Sequence, residues 1–254
     1  MADVIYGVTE AGIFEEALEF LKQKKALPAE IYRQAGEEAR ARAFTVSGYA
    51  AVEVLEQFLQ ELEAAVEEGT GKETFRENMN RFLEKAGYKG VDPWHTDVIF
   101  RTNLQTAYHA GHYKAMTDRT VRRLRPYWQY QTAGDGHVRE THAVMDGRVF
   151  RCDDPIWEVW YPPNGFRCRC NVVSLTEAQV RERNLQVETI MPNEIDRETG
   201  EAVFYWPDKG FTGNPAKTVF QPDMKNIRPD LKAVYKDTQK EHDRKRRNKA
   251  GKTM

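Results

Sequence analysis

The sequence predicts an α+β protein: an N-terminal helical region, then a small loop-rich, β-containing domain, then a basic helical tail. Three observations carry this. Apolar residues recur at helical spacing from residue 11 to about residue 87. After Pro126 they change to short, alternating, aromatic-rich runs punctuated by Gly and Pro. The last stretch, KEHDRKRRNKAGK, is strongly basic. The expected divisions are 1–90, 91–220 and 221–254.

The elements follow in order. In GIFEEALEFLKQKKA, Ile13, Phe14, Ala17, Leu18 and Leu21 keep helical spacing. Pro28 suits the first turn of a second helix, PAEIYRQAGEEARARAFTV, because its missing N–H has no partner to lose there. A third helix carries the stripe Val52, Leu55, Leu59, Leu62 and Val66, with Gly69 as its stop. A fourth carries Phe75, Met79, Phe82 and Leu83. These stripes read as helix–helix core. Gly87 to Pro93 is a break, and DVIFRTNLQTAYHAGHYKAMTD makes a further helix, with Ile99, Leu104, Tyr108 and Tyr113 toward the core. YWQYQT then reads as a strand, Gly134-Asp135-Gly136 as a turn, and DGRVFR as a turn leading into a strand. Pro155 to Cys170 reads as ordered loop and NVVSL as a strand. TEAQVRERN reads as a helix capped by Thr176, and GEAVFYW as a strand. From about Met224 the chain reads as helix again.

Bulk properties exclude several classes. Hydrophobic residues make up 40% and charged residues 30% of the chain, enough of each for a packed core under a wet surface. No run of ~18 apolar residues occurs, so no membrane-spanning segment is expected. The opening MADVIYGVTEAG lacks the basic and apolar regions of a secretion signal. Net charge is −1, so the chain as a whole is no polycation for DNA. Basic residues are concentrated instead in two clusters. Arg119, Arg122, Arg123 and Arg125 precede Tyr127, Trp128 and Tyr130; Arg244, Lys245, Arg246 and Arg247 lie in the tail. Both are candidate contacts for nucleic acid or a protein partner. The first cluster reads equally as a solvated helix face.

The three cysteines, Cys152, Cys168 and Cys170, are an odd number and close in sequence, which argues against a disulfide framework. Zinc ligation is one reading. Pro162-Pro163-Asn164-Gly165 supplies a bend before Cys-x-Cys, and His142 stands beside the Asp146-Gly147 turn. His142, Cys168 and Cys170 would be three ligands, with Cys152 or His137 as the fourth. The other reading has buried thiols within a metal-free polar lattice. In it, Arg139, Arg151 and Arg169 pair with Asp135, Asp146, Asp153 and Asp154. Catalysis is not expected. No nucleophile elbow, P-loop, HExxH or dinucleotide-binding glycine pattern is present, and the cysteines do not open a helix that would acidify them. The remaining catalytic reading is a metal-dependent hydrolase using Asp146, Asp153 and Asp154.

Tyr127 to Val173 resembles the phage Mu F-like head-morphogenesis family. The resemblance rests on an ordered series: Asp135, Arg139, His142, Asp146-Gly147, Asp153-Asp154-Pro155, Trp157, Pro162-Pro163-Asn164-Gly165 and Cys168-Arg169-Cys170. Upstream, Arg101-Thr102 through Tyr108, Gly111 and Tyr113 is similar to the family's preceding helix. Downstream, GFTGNPAK at 210–217 is similar to its closing element. The chain departs from the pattern at His137, where many relatives have Arg, and at Ala216, where Gly is usual. Some relatives have Cys at the positions of Arg139 and His142, which implies that these positions meet the Cys168–Cys170 pair in space.

The resemblance implies a minor structural protein of a tailed-phage or prophage head, not an enzyme. Its partners would be the portal protein through the helical region, other prohead proteins, and packaged double-stranded DNA. It would be found in the host cytoplasm during assembly and then in the virion head. A DNA-binding accessory protein of packaging or ejection is the alternative.

Overall fold

The computed structural model describes residues 15–34, 43–196, 198–211, 213–214 and 216. The tail residues Arg244, Lys245, Arg246 and Arg247 lie outside the described residues, as does the helix expected from Met224. The architecture is α+β, and the chain forms two compact units. Among the described residues, one holds Leu18–Phe100 and the other holds residues 15–17 together with the chain from Arg101 onward. The division falls inside a helix, whereas the sequence punctuation lies at Gly87–Pro93.

The first unit is mainly helical. Its elements are α1 (Glu15–Gln23) from Leu18 on, α2 (Ala29–Gln34), α3 (Val52–Glu68), α4 (Lys72–Lys85) and the start of α5 (Pro93–Met116). In α3 the buried apolar residues are Val54, Leu55, Phe58, Leu59, Leu62 and Ala65. The buried face is therefore turned slightly from the expected one, leaving Val52 and Val66 half-buried. Phe58 explains the shift. Its ring meets Phe75 of α4 at 6.2 Å, and Phe75 meets Phe100 at 5.3 Å. Gly69 ends α3 in the left-handed region, at φ 69°, where a side chain would be strained. Asn78 Nδ2 donates to Glu61 Oε2 at 2.8 Å and ties α3 to α4.

The helix expected from Pro28 to Val46 does not extend to its expected end. Its described part is Ala29–Gln34, and residues 35–42 lie outside the described residues. Ala43–Phe44 is instead a short strand, β2, parallel to β1 (Lys25–Ala26). The Leu27 N–H donates to the Phe44 carbonyl at 2.8 Å and extends the pairing, and Ala43, Phe44 and Val46 are all buried.

The second unit is built on a three-stranded antiparallel sheet with β3 (Tyr127–Gln131) between β4 (Val149–Arg151) and β5 (Asn171–Leu175). Trp128 pairs with Phe150 on one side and Ser174 on the other, and Tyr130 with Val172. Side chains alternate across a sheet, so these residues share a face. Trp128, Tyr130, Phe150 and Val172 enter a core with Trp157, Trp160, Tyr161, Cys168 and Cys170. Val149, Leu175 and Val180 form a second cluster with Tyr127 and Val173. The central strand is thus covered on both faces.

The stretch from Pro155 to Cys170, expected as loop, contains the short helix α8 (Ile156–Val159), started where Asp154 Oδ1 accepts the Ile156 N–H at 2.9 Å. α9 (Glu177–Glu182) opens with a reciprocal capping box between Thr176 and Gln179, as the sequence predicts for Thr176. Ala202–Phe204 is the strand expected in GEAVFYW; it pairs with Asn193–Ile195, which sequence patterning missed. These two three-residue strands, β6 and β7, carry too little alternation for the partner to stand out.

Candidate functional site

Three stretches of the second unit converge: α7 (Glu140–Ala143), the Cys168-Arg169-Cys170 segment before β5, and Asp208 after β7. His142 is 1% exposed. Its Nδ1 lies 3.8 Å from Cys168 Sγ and 3.7 Å from Cys170 Sγ. The three ligand atoms lie within 4.8 Å of one another. On the other side of the ring, Nε2 stands 3.6 Å from Asp208 Oδ1. The imidazole is therefore held between two sulfurs and a carboxylate, with Trp160 packed edge-on against it.

Local sequence explains this assembly. Arg139 reaches back over the Pro-Pro-Asn-Gly bend, donating from Nη2 to the Phe166 carbonyl at 2.6 Å. Its Nε also meets Asp208 Oδ2 at 3.2 Å. Asn164 is fully buried. Its Oδ1 accepts from the Tyr130 hydroxyl at 2.7 Å, and its carbonyl accepts the Asp208 N–H at 2.9 Å. Pro163 is buried beside it. A β-carbon on Gly165 would strike the Asp208 carboxylate and come within 3.2 Å of Arg139 Nη1. Gly165→Ala is therefore expected to push Asp208 away from both Arg139 and His142, at a cost of about 1–2 kcal/mol. Chemical denaturation checks this, and an unchanged midpoint would contradict the close approach.

The thiols are electrostatically unlike. The Cys170 thiol donates toward Cys168, and His142 and the Asn164 and Cys170 N–H groups reinforce it. Together they hold the Cys168 thiol well below its ordinary value against the opposing effect of burial. The same pairing, with burial added, pushes the Cys170 thiol up. Behind the pair, His109 Nε2 donates to the Cys170 carbonyl at 2.9 Å and His112 Nε2 to the Val172 carbonyl at 2.9 Å. Burial, aided by the charge of His112, lowers His109 to about 3, so its ring is neutral. Sequence reasoning missed both histidines. Their i, i+3 spacing on α5, which puts them on one face, was the available signal.

The other candidate residues are placed as follows. Asp135 takes a bidentate ion pair from Arg169, with Nη2 to Oδ1 at 2.6 Å, and this guanidinium holds the Asp135 carboxyl at about 2. Asp146 Oδ1 accepts from the Thr132 backbone N–H at 2.7 Å, and Gly147, at φ 76°, turns the chain toward β4. Arg151 pairs with Asp153 at 2.9 Å. Cys152 is half-buried after β4, its N–H bonded to the Pro126 carbonyl, and does not belong to the His142–Cys168–Cys170 group. His137 does not belong to that group either; it is exposed and lines a cleft over it, together with Arg139, Arg167 and Arg169. Arg119, Arg122 and Arg123 are exposed on α6 (Arg119–Leu124), a single helical run capped by Asp118. Asp208 was missed by sequence reasoning, because nothing in WPDKGF marks its carboxylate as facing inward.

The family model described as "Phage Mu protein F like protein" matches residues 56–173, a span that includes all three members of the buried cluster. The chain belongs to the phage Mu F-like family. It is 34% identical over 227 residues to protein F of Escherichia phage Mu, which is named for capsid assembly; the match covers 75% of this chain and 51% of that protein. It is also 34% identical over 187 residues to the F protein of the Mu-like prophage FluMu of Haemophilus influenzae, covering 66% of this chain and 45% of that one. The chain thus spans about half the length of these curated relatives. No solved structure matches it significantly.

Proposed function

We propose that this Mu F-like chain is a minor structural protein of a tailed-phage or prophage head, acting in prohead assembly through association with the portal protein. The reading is supported above all by its similarity, across 75% of its length, to a phage protein named for capsid assembly. The helical first unit is the portal-binding part, and other prohead proteins are its further partners. The chain works in the host cytoplasm during assembly and remains in the virion head. Among the described residues, no helix is long and apolar enough to cross a membrane. Its role is one of shape, not catalysis: the buried polar groups of the second unit serve to hold its loops together.

The test is a tagged chain expressed from its own phage or prophage. Proheads and portal protein should copurify with it, and deletion should abolish DNA-filled heads. A normal yield of filled heads from the deletion would overturn the proposal.

A second reading, direct contact with packaged DNA, is favoured by the exposed Arg119, Arg122 and Arg123 on α6. Phosphate contacts of this kind release counterions, so affinity should fall steeply with added salt. The triple Arg→Ala variant should flatten that dependence. Salt-insensitive binding, or none at all, would end this reading.

A further inference from the structure

We propose that His142, Cys168 and Cys170 bind one zinc ion, through Nδ1 and the two sulfurs, with His137 closing the fourth position and Asp208 holding His142 from behind. The geometry is the main argument. Ligands placed tetrahedrally at about 2.3 Å for thiolate and about 2.0 Å for imidazole stand roughly 3.5 Å apart. His142 Nδ1 lies 3.8 and 3.7 Å from the two sulfurs, close to that edge. All three residues are buried, so the ion would be shielded from competing water.

The surroundings also fit. An imidazole that binds metal through one nitrogen usually donates the other N–H to a carboxylate, which fixes its tautomer and strengthens it as a ligand. Asp208 stands 3.6 Å from Nε2, and apart from this contact the buried nitrogen has no hydrogen-bond partner. Asp208 is itself oriented by Arg139 and by the Asn164 carbonyl. The cleft over the cluster contains one further metal-capable side chain, His137, on the turn anchored by Asp135. Two thiolates and two neutral imidazoles cancel the charge of Zn²⁺, which suits a buried structural centre. Cys152 takes no part. The ion links α7, the Cys-x-Cys segment and the turn bearing His137, adding to the Arg169–Asp135 and Arg139–Phe166 contacts that already join them.

The purified full-length chain should contain one zinc per molecule by elemental analysis. After stripping and reloading with Co²⁺, it should show thiolate-to-cobalt charge transfer and the intense visible bands of tetrahedral cobalt. Cys168→Ser or His142→Ala should remove the bound metal, while Cys152→Ala should retain it. Asp208→Ala should weaken zinc binding by about tenfold to a hundredfold, as loss of an outer partner does. His137→Ala should change the cobalt bands; an unchanged spectrum would overturn His137 as the fourth ligand. If the ligand variants fail to fold, metal content and cobalt spectra of the unmodified chain still decide. Metal-free protein that takes up neither Zn²⁺ nor Co²⁺, with unchanged thermal unfolding, would overturn the site. That result would leave the proposed role in head assembly standing, because prohead association is measured separately.

Discussion

Trp128→Ala is expected to destabilise the second unit by about 3–5 kcal/mol, the usual cost of removing a fully buried tryptophan. Trp128 is 0% exposed in the central strand of the sheet. Its ring meets Trp157 at 5.5 Å, Tyr113 at 5.7 Å and Tyr161 at 5.9 Å. Alanine would leave a cavity in the middle of this aromatic cluster, between two strands that cannot close over it without breaking their ladder. Near-ultraviolet circular dichroism under increasing denaturant would follow the loss. Trp128→Phe is the control. The buried indole N–H has no acceptor, so phenylalanine gives up only ring area and should cost much less. A loss below about 1 kcal/mol for the alanine variant would mean that the sheet does not depend on this cluster.

The second large effect concerns Lys24, between α1 and β1. Lys24 is 7% exposed, with its ammonium 4.9 Å from the Phe20 ring centroid, and burial lowers its pKa to about 8. An unfolded lysine titrates near its ordinary value of about 10.4. Between these two values the unfolded chain binds more protons than the folded one, so stability must rise with pH across that window. Below about pH 8 both states are charged, and the folded state carries a burial cost of up to about 3 kcal/mol. Lys24→Met keeps most of the stem and removes the charge. It is expected to stabilise the first unit by about 1–3 kcal/mol at pH 7 and to abolish the rise. Thermal melts from pH 7 to pH 10 test both parts. A flat profile for the unmodified chain, or a less stable methionine variant, would show that the ammonium is well accommodated where it lies.

These two residues differ in how far the sequence exposed them. Trp128 sits in an alternating aromatic run, and its burial follows from the period of a strand. Lys24 belongs to the run KQKK, which reads as solvated surface. What buries it is the packing around the α1–β1 junction, where Leu21, Ala26 and Leu27 are all buried. The same contrast runs through the fold. Helices of three or more turns were legible because each repeats its period several times, and the strands of the main sheet because aromatic and β-branched runs next to turn residues mark them. The β1–β2 pair and β6 were not: β7 was expected in GEAVFYW, but its partner Asn193–Ile195 is too short to show a period of its own.

The candidate site divides along a similar line. The order of Asp135, Arg139, His142, Cys168 and Cys170 marked a convergent region without any coordinates, and the family followed from it. The sequence alone does not choose between Cys152 and His137 as a neighbour of this cluster. Cys152 lies closer in sequence to His142 than Cys168 does, yet β4 carries it away from the cluster, while the turn at Gly134–Gly136 brings His137 to the cleft. The lattice of arginines and aspartates was legible as a composition, but not its pairing. Arg169 meets Asp135 and Arg151 meets Asp153, whereas Arg139 reaches Asp208.

By itself, then, the sequence determined the α+β class, the family and the histidine and cysteines at the centre of the second unit, because periodicity and motif order are written along one dimension. Only the tertiary structure decided which groups surround them: Asp208 behind His142, and His109 and His112 on the carbonyls of Cys170 and Val172. Those partners lie about sixty to seventy positions away in the chain, and their nearness is set by how the helix and the sheet pack, a property that no local pattern of residues records.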